Sequence, residues 1–337
     1  MTLQQKTSIM LPSLEEELQR QIRRIDGIAS QPFYEMLTYH MGWNGEQTVG
    51  SGAGKRIRPL LMLLVVEASG GQWLRAISAA AAIEIVHNFS LVHDDIEDDS
   101  PTRRGRVTVW KKFGVPMAVN VGDALFAIAN QALLDSAAHY PAGTVLRAAV
   151  SLDHACIELT RGLYLDMSYE NGRHISEDDY WPMVDGKTAA LLAASAEIGA
   201  ILGGADDEAL HYYSDFARHL GMAFQVRDDI LGIWGDESAT GKSAASDLIE
   251  GKNSLPILYG IGRNGAFARR WSASPITAHE TSAVAQLLKD EGAFDYSVEQ
   301  AEKLTELAMA SLRAANPQGD AGDALAELAR KLLNRKS

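Results

Sequence analysis

Residues 73–105, WLRAISAAAAIEIVHNFSLVHDDIEDDSPTRRG, decide the class of this chain. Wound at roughly 100° per residue, the segment from Leu74 to Asp98 is apolar nearly all round, so it needs neighbours on every side and reads as a central helix. Its end carries five carboxylates, Asp94, Asp95, Glu97, Asp98 and Asp99, followed by Arg103 and Arg104. Like charges at the end of a buried segment repel one another and are costly to desolvate, which implies compensation from outside the chain. Asp94, Asp95 and Asp98 fall within about 100° of one another on one helical face, whereas Glu97 and Asp99 read as solvated.

Outward from this segment, apolar residues recur at three- and four-residue spacing over 14–29, 56–69, 115–138, 143–169, 187–202, 207–234, 278–291, 297–314 and 321–334. Strand-like alternation is nearly absent. RVTVW (106–110) is the one short candidate, and a loop or short helix fits it equally. The expectation is an all-α protein, one domain over 1–337, with a motif-bearing region at 50–260 and further helices at 270–335. No repeat or domain linker interrupts it.

The chain has 337 residues, 46% of them hydrophobic, and a formal net charge of −13. That charge argues against nucleic acid or an anionic membrane as a general partner. Cys156 is the single cysteine, so no intramolecular disulfide can form; a buried core thiol in a cytoplasmic protein is expected. The N-terminus lacks a signal pattern, and no charge-free run reaches the roughly 20 residues that span a bilayer, so no transmembrane segment is predicted.

A second acid pair follows another apolar helical run. In FQVRDDILGIWGD, Asp228 and Asp229 are adjacent and Asp236 lies further on. Two such pairs on separate helices can face each other across a cavity. Oxygen donors with few His nearby and no Cys favour a hard cation, Mg²⁺ rather than Zn²⁺, and Mg²⁺ sites commonly include phosphate oxygens. Basic residues suited to anions stand in Gly- or Pro-rich contexts: Lys55, Arg56 and Arg58 in GKRIRP, Arg103 and Arg104 in RRG, Lys187 with Thr188, Lys242, and Lys252. A P-loop is excluded, because Trp181 and Asp236 occupy the positions of its first Gly. Glu84-x-x-His87 and Glu208-x-x-His211 mimic a di-iron pair, but that arrangement would leave both Asp pairs unused.

With these pieces in order, the chain resembles the trans-isoprenyl diphosphate synthases, closest in motif to geranylgeranyl diphosphate synthases. GKRIRP, the DDxxDxxxxRRG element, GDALF, DGKTAAL, FQVRDDILGIWGD and GKSAASDLIEGKNSLPI follow the family's order over about residues 50–260. The resemblance implies an all-α bundle around a deep central cavity, usually in a homodimer. It also implies condensation of isopentenyl diphosphate with an allylic diphosphate, giving geranylgeranyl or farnesyl diphosphate.

By the same resemblance Mg²⁺, three ions once diphosphate is bound, would be held by Asp94, Asp95, Asp98, Asp228 and Asp229. Arg103, Lys187, Lys242 and Lys252 would hold the allylic diphosphate, and Lys55, Arg58, His87 and Arg104 the isopentenyl diphosphate. Gln225 and Thr188 would lie beside the nascent cation, while Phe89 and Ser90 would set chain length. On an ideal helix, however, Phe89 points away from the aspartate face.

Two departures stand out: Gly232 replaces the last Asp of the second motif, with Asp229 and Asp236 left to cover it, and Leu163 follows Gly162 where the family has Gln. A terpene cyclase of the same fold, or a non-catalytic partner subunit, are the alternatives these departures raise.

Overall fold

The computed structural model describes residues 1–43, 54–170, 175–235, 245–273 and 275–333. The chain is all-α as expected, apart from one small hairpin among the described residues. Its contacts gather into two compact units, Met1–Asp153 with Ser195–Leu210 and Pro317–Leu325, and His154–Ala194 with His211–Asn316 and Ala326–Ser337.

In the first unit, α1 (Leu3–Ile22), α2 (Gln31–Met41) and α3 (Ile57–Ala68) precede the long α4 (Ile77–Glu97). Ala79, Ala80, Ala81 and Ala82 of α4 are all 0% exposed, and these small side chains let neighbours approach from several sides at once. A hairpin of β1 (Thr102–Arg103) and β2 (Arg106–Val107) follows, then α5 (Val109–Phe113) and α6 (Val115–Leu134). α6 lies along α4. At Gly122 the approach is so close that a Cβ would sit 2.1 Å from His93 Nε2.

α7 (Ala142–Glu170) leads to α8 (Glu177–Val184), which passes through a π-helical turn (Asp185–Ala189) into α9 (Ala190–Gly203) and then α10 (Asp207–Trp234). The remaining described helices are α11 (Ser246–Glu250), α12 (Leu255–Gly262), α13 (Ala266–Ala273), α14 (Thr281–Asp290), α15 (Ala293–Ala314) and α16 (Gly319–Leu333). In the second unit Ile233, Leu248, Ile257, Phe267 and Leu288 form one apolar cluster that fixes the end of α10 against the helices after it.

Several boundaries differ from the sequence reading. The first helix runs from Leu3 through Pro12 to Ile22 rather than over 14–29. Periodicity did not reveal α2, α8, α11, α12 or α13, which have 5 to 11 residues and are too short to display a clear 3.6-residue pattern. RVTVW divides between β2 and α5. Trp73–Glu97 and Val115–Ala138 are long and apolar enough to cross a bilayer by length and composition alone, although both carry charged residues. The first is 72% buried and serves as core; the second is 44% buried and keeps an apolar face exposed.

Candidate active site

The end of α4 treats its acids unequally. Asp95 is 2% exposed, and its Oδ1 accepts from Arg103 Nε at 2.6 Å, while Arg103 Nη2 donates to Asp94 Oδ2 at 3.3 Å. Burial raises the Asp95 carboxyl above its usual range, with Arg103 opposing that rise. Asp94 is partly buried and Asp98, which caps the helix, is exposed.

The hairpin explains why consecutive arginines diverge. Arg104 and Gly105 both have positive φ, +53° and +74°, as a tight two-residue hairpin turn requires. Arg103 thereby faces the α4 acids, while the Arg104 guanidinium lies against Gly54, where a Cβ would come within 2.7 Å of Nη2. Arg58 Nη1 and His87 Nε2 are 3.4 Å apart. Burial, then Arg58, Arg104 and Arg103, push the His87 pKa well down, so the imidazole is neutral among cations. Lys55 is exposed beside Gly54.

Glu84 is not available as a metal ligand. Its Oε1 accepts from Arg56 Nη1 at 2.6 Å and from Asn88 Nδ2 at 3.1 Å, in a buried pair that removes the di-iron reading.

In the second unit the π-helical turn presents two candidates. Lys187 Nζ donates to Asp166, and Thr188 Oγ1 donates to Gln225 Oε1 at 2.8 Å. This turn packs unusually close to α7: a Cβ on Gly162 would meet Lys187 N at 2.1 Å, and one on Gly186 would meet the Glu158 carbonyl at 2.6 Å. Leu163 is partly buried.

On α10, Asp228 is exposed while Asp229 is 6% exposed. Asp229 accepts from Tyr180 Oη at 2.7 Å, the Leu255 N–H at 2.9 Å and Gln225 Nε2 at 2.9 Å. Burial lifts its pKa to about 7 despite these donors. Lys252 ion-pairs with Glu250 at 2.9 Å. Lys242 and Asp236 lie outside the described residues.

Asp247 is a residue the sequence reading left without a role. Its carboxylate fills the space beside Gly232, where a Cβ would lie 2.3 Å from Oδ2 and 2.7 Å from Oδ1. Only the fold brings this buried acid from α11 back onto α10; no local signal in SAASDLIEGK shows it. Tyr180 was likewise overlooked, because a tyrosine in a short helix looks like ordinary core.

Phe89 lies with its ring centroid 5.1 Å from His93 and 5.2 Å from Phe126 on α6. α4 is regular through this region, so the ring turns toward α6 without a helix distortion. Ser90 Oγ donates to the His87 carbonyl at 2.9 Å.

The sequence pattern of polyprenyl synthetases matches residues 46–289. The chain belongs to the polyprenyl synthetase family. This polyprenyl synthetase is 40% identical over 264 residues to a (2E,6E)-farnesyl diphosphate synthase of Mycobacterium tuberculosis, covering 75% of the chain and 72% of the relative. It is 36% identical over 305 residues to a geranylgeranyl diphosphate synthase of Sulfolobus acidocaldarius, covering 89% and 90%. Among solved structures, a polyprenyl synthetase from Streptomyces coelicolor A3(2) superposes with a TM-score of 0.87 at 34% identity, covering 98% of each chain. As a polyprenyl synthetase the protein is an enzyme, a prenyltransferase of isoprenoid biosynthesis.

Proposed function

We propose that the chain joins isopentenyl diphosphate head-to-tail to an allylic diphosphate, in a Mg²⁺-dependent reaction whose main product is geranylgeranyl diphosphate. The observation that carries the two-substrate reading is the gathering of Arg58 and Arg104 around a neutral His87, apart from the Arg103 that engages Asp94 and Asp95; Lys55 is the further cation assigned to this group by the family's pattern. A terpene cyclase needs one diphosphate site and has no use for the second group.

The donor chemistry fits Mg²⁺. Asp94, Asp98 and Asp228 offer oxygen alone, and among the described residues no three His, Cys, Asp or Glu converge to enclose an ion. A hard cation that completes its shell with phosphate and water suits such a set. When bound, Mg²⁺ would neutralise the allylic diphosphate as a leaving group.

The chain's own residues do the rest. Arg103, Lys187, Lys242 and Lys252 hold the allylic diphosphate, with Asp95 orienting Arg103 through its 2.6 Å hydrogen bond. The allylic C–O bond breaks, the double bond of isopentenyl diphosphate attacks the cation, a C–C bond forms, and a proton passes to the released diphosphate. Gln225 and Thr188, joined by a hydrogen bond, would stand beside the positive charge by the family's pattern. Asp247 adds a carboxylate where Gly232 lacks one.

A homodimer is part of the proposal. α6 exposes Val115, Met117, Val119, Phe126 and Leu134, and α7 exposes Leu146, Val150, Ile157 and Tyr164. Apolar faces of this extent mark association surfaces.

The test is incubation of the purified chain with isopentenyl diphosphate and primers of five, ten and fifteen carbons, with Mg²⁺ or a chelator, followed by chromatography of the products. Elongation that depends on both substrates and the metal is expected. Hydrocarbon released from farnesyl diphosphate alone would overturn the reading in favour of a cyclase.

A further inference from the structure

Asp229 is chemically unlike its neighbour Asp228. It is 6% exposed, and its Oδ2 is anchored by two donors on other helices, Tyr180 Oη at 2.7 Å and the Leu255 N–H at 2.9 Å. Both anchors are buried, with Tyr180 1% and Leu255 0% exposed. The other oxygen, Oδ1, accepts from Gln225 Nε2 at 2.9 Å, and Gln225 Oε1 accepts from Thr188 Oγ1 at 2.8 Å. Three donors therefore already converge on the two oxygens of this carboxylate.

A primary amide has nearly the same shape after a half-turn about its last bond, so packing alone selects its orientation poorly. With Tyr180 Oη and the Leu255 N–H both donating to Oδ2, Oδ1 is left as an acceptor that draws the Gln225 NH₂ and turns its carbonyl toward Thr188. We propose that Asp229 is a positioning residue that fixes the orientation of the Gln225 carboxamide, and that it is not a metal ligand. The inference rests on the prenyl-transfer reading for its catalytic consequence, since Gln225 matters there as a polar group beside the cation. Asp228 is left as the metal-binding member of the pair.

Asp229→Asn isolates this role because it keeps the shape. Its carbonyl can still accept from Tyr180 and Leu255, which turns its NH₂ toward Gln225. Gln225 must then rotate to present Oε1, and its NH₂ faces Thr188. Turnover is expected to fall about a hundredfold, the scale of losing one preorganised polar group. KM for both substrates and the Mg²⁺ concentration for half-maximal rate are expected to stay within about twofold, because no ligand is removed. Combined with Gln225→Ala, the substitution should add nothing to the loss that Gln225→Ala causes alone.

A readout independent of activity uses protein labelled with ¹⁵N-glutamine, with the Gln225 carboxamide pair identified by its loss in Gln225→Ala. That pair should shift in Asp229→Asn, and to a smaller extent in Tyr180→Phe, which removes one anchor and guards against a folding failure of the first variant. A tenfold or greater rise in the Mg²⁺ requirement of Asp229→Asn, multiplying rather than overlapping rate losses, or an unmoved Gln225 pair would each overturn the proposal. If the wild-type chain fails to elongate any primer, the functional reading falls, while the carboxamide measurement still decides the positioning role.

Discussion

Gly232 stands where an acid is expected, and a side chain there has no room, because the Asp247 carboxylate already occupies the space. Restoring the family's residue should therefore harm the enzyme. Gly232→Asp is expected to lower both melting temperature and turnover by forcing two carboxylates together, and adding Asp247→Ala should recover part of the loss; thermal melts and product assays on the two variants check this. Asp94→Ala and Asp228→Ala are expected to cut prenyl transfer by about a hundredfold or more with circular dichroism unchanged, since both carboxylates are at least partly exposed. His40 supplies a pH prediction. Burial, then Arg104 and Arg103, depress its pKa from 6.5 to about 3, so below pH 6.5 the unfolded chain takes up a proton that the folded chain refuses. Stability is complete above that pH and falls by about 1.4 kcal/mol per unit as pH drops toward 3. Urea titrations at pH 7.5 and 5.5 should show the decline, reduced in His40→Gln.

At the scale of elements, two close approaches set the geometry. α7 meets the π-helical turn through Gly162 and Gly186, and the absent Cβ atoms let the backbone carry Lys187 and Thr188 to Asp166 and Gln225. Gly162→Ala would place a methyl 2.1 Å from Lys187 N. The expected cost is about 1–3 kcal/mol of stability, measured by denaturant unfolding, together with weakened binding of the allylic diphosphate. α4 and α6 meet near Gly122, and Phe89 rests on Phe126 there. If Phe89 closes the chain-length cavity, Phe89→Ala should lengthen the product; an unchanged chromatogram would assign the ring to helix packing alone.

At the scale of the molecule, the proposed homodimer rests on the exposed apolar residues of α6 and those of α7. Ile157→Lys or Leu146→Lys is expected to convert a dimer into a monomer, read by light scattering after size exclusion. A monomeric wild type would overturn the dimer proposal. The helical class and the long helices α3, α4, α6, α7, α9 and α10 were legible in the sequence, because an amphipathic or fully buried helix writes its period into its own residues. So was the supply of acids and cations, since local chains such as DDIEDDSPTRRG and FQVRDDILGIWGD carry unusual charge density. Short helices escaped, having too few turns to show a period. The sequence by itself thus determined the fold class, the family and the inventory of chemical groups. Only the tertiary structure decided which member of each acid pair is buried, that Asp95 is engaged by Arg103, that Asp229 is engaged by Tyr180, Leu255 and Gln225, and that Asp247 fills the place beside Gly232. Burial and hydrogen bonding depend on segments distant in the chain, and no local pattern encodes which of two adjacent carboxylates the packing will enclose.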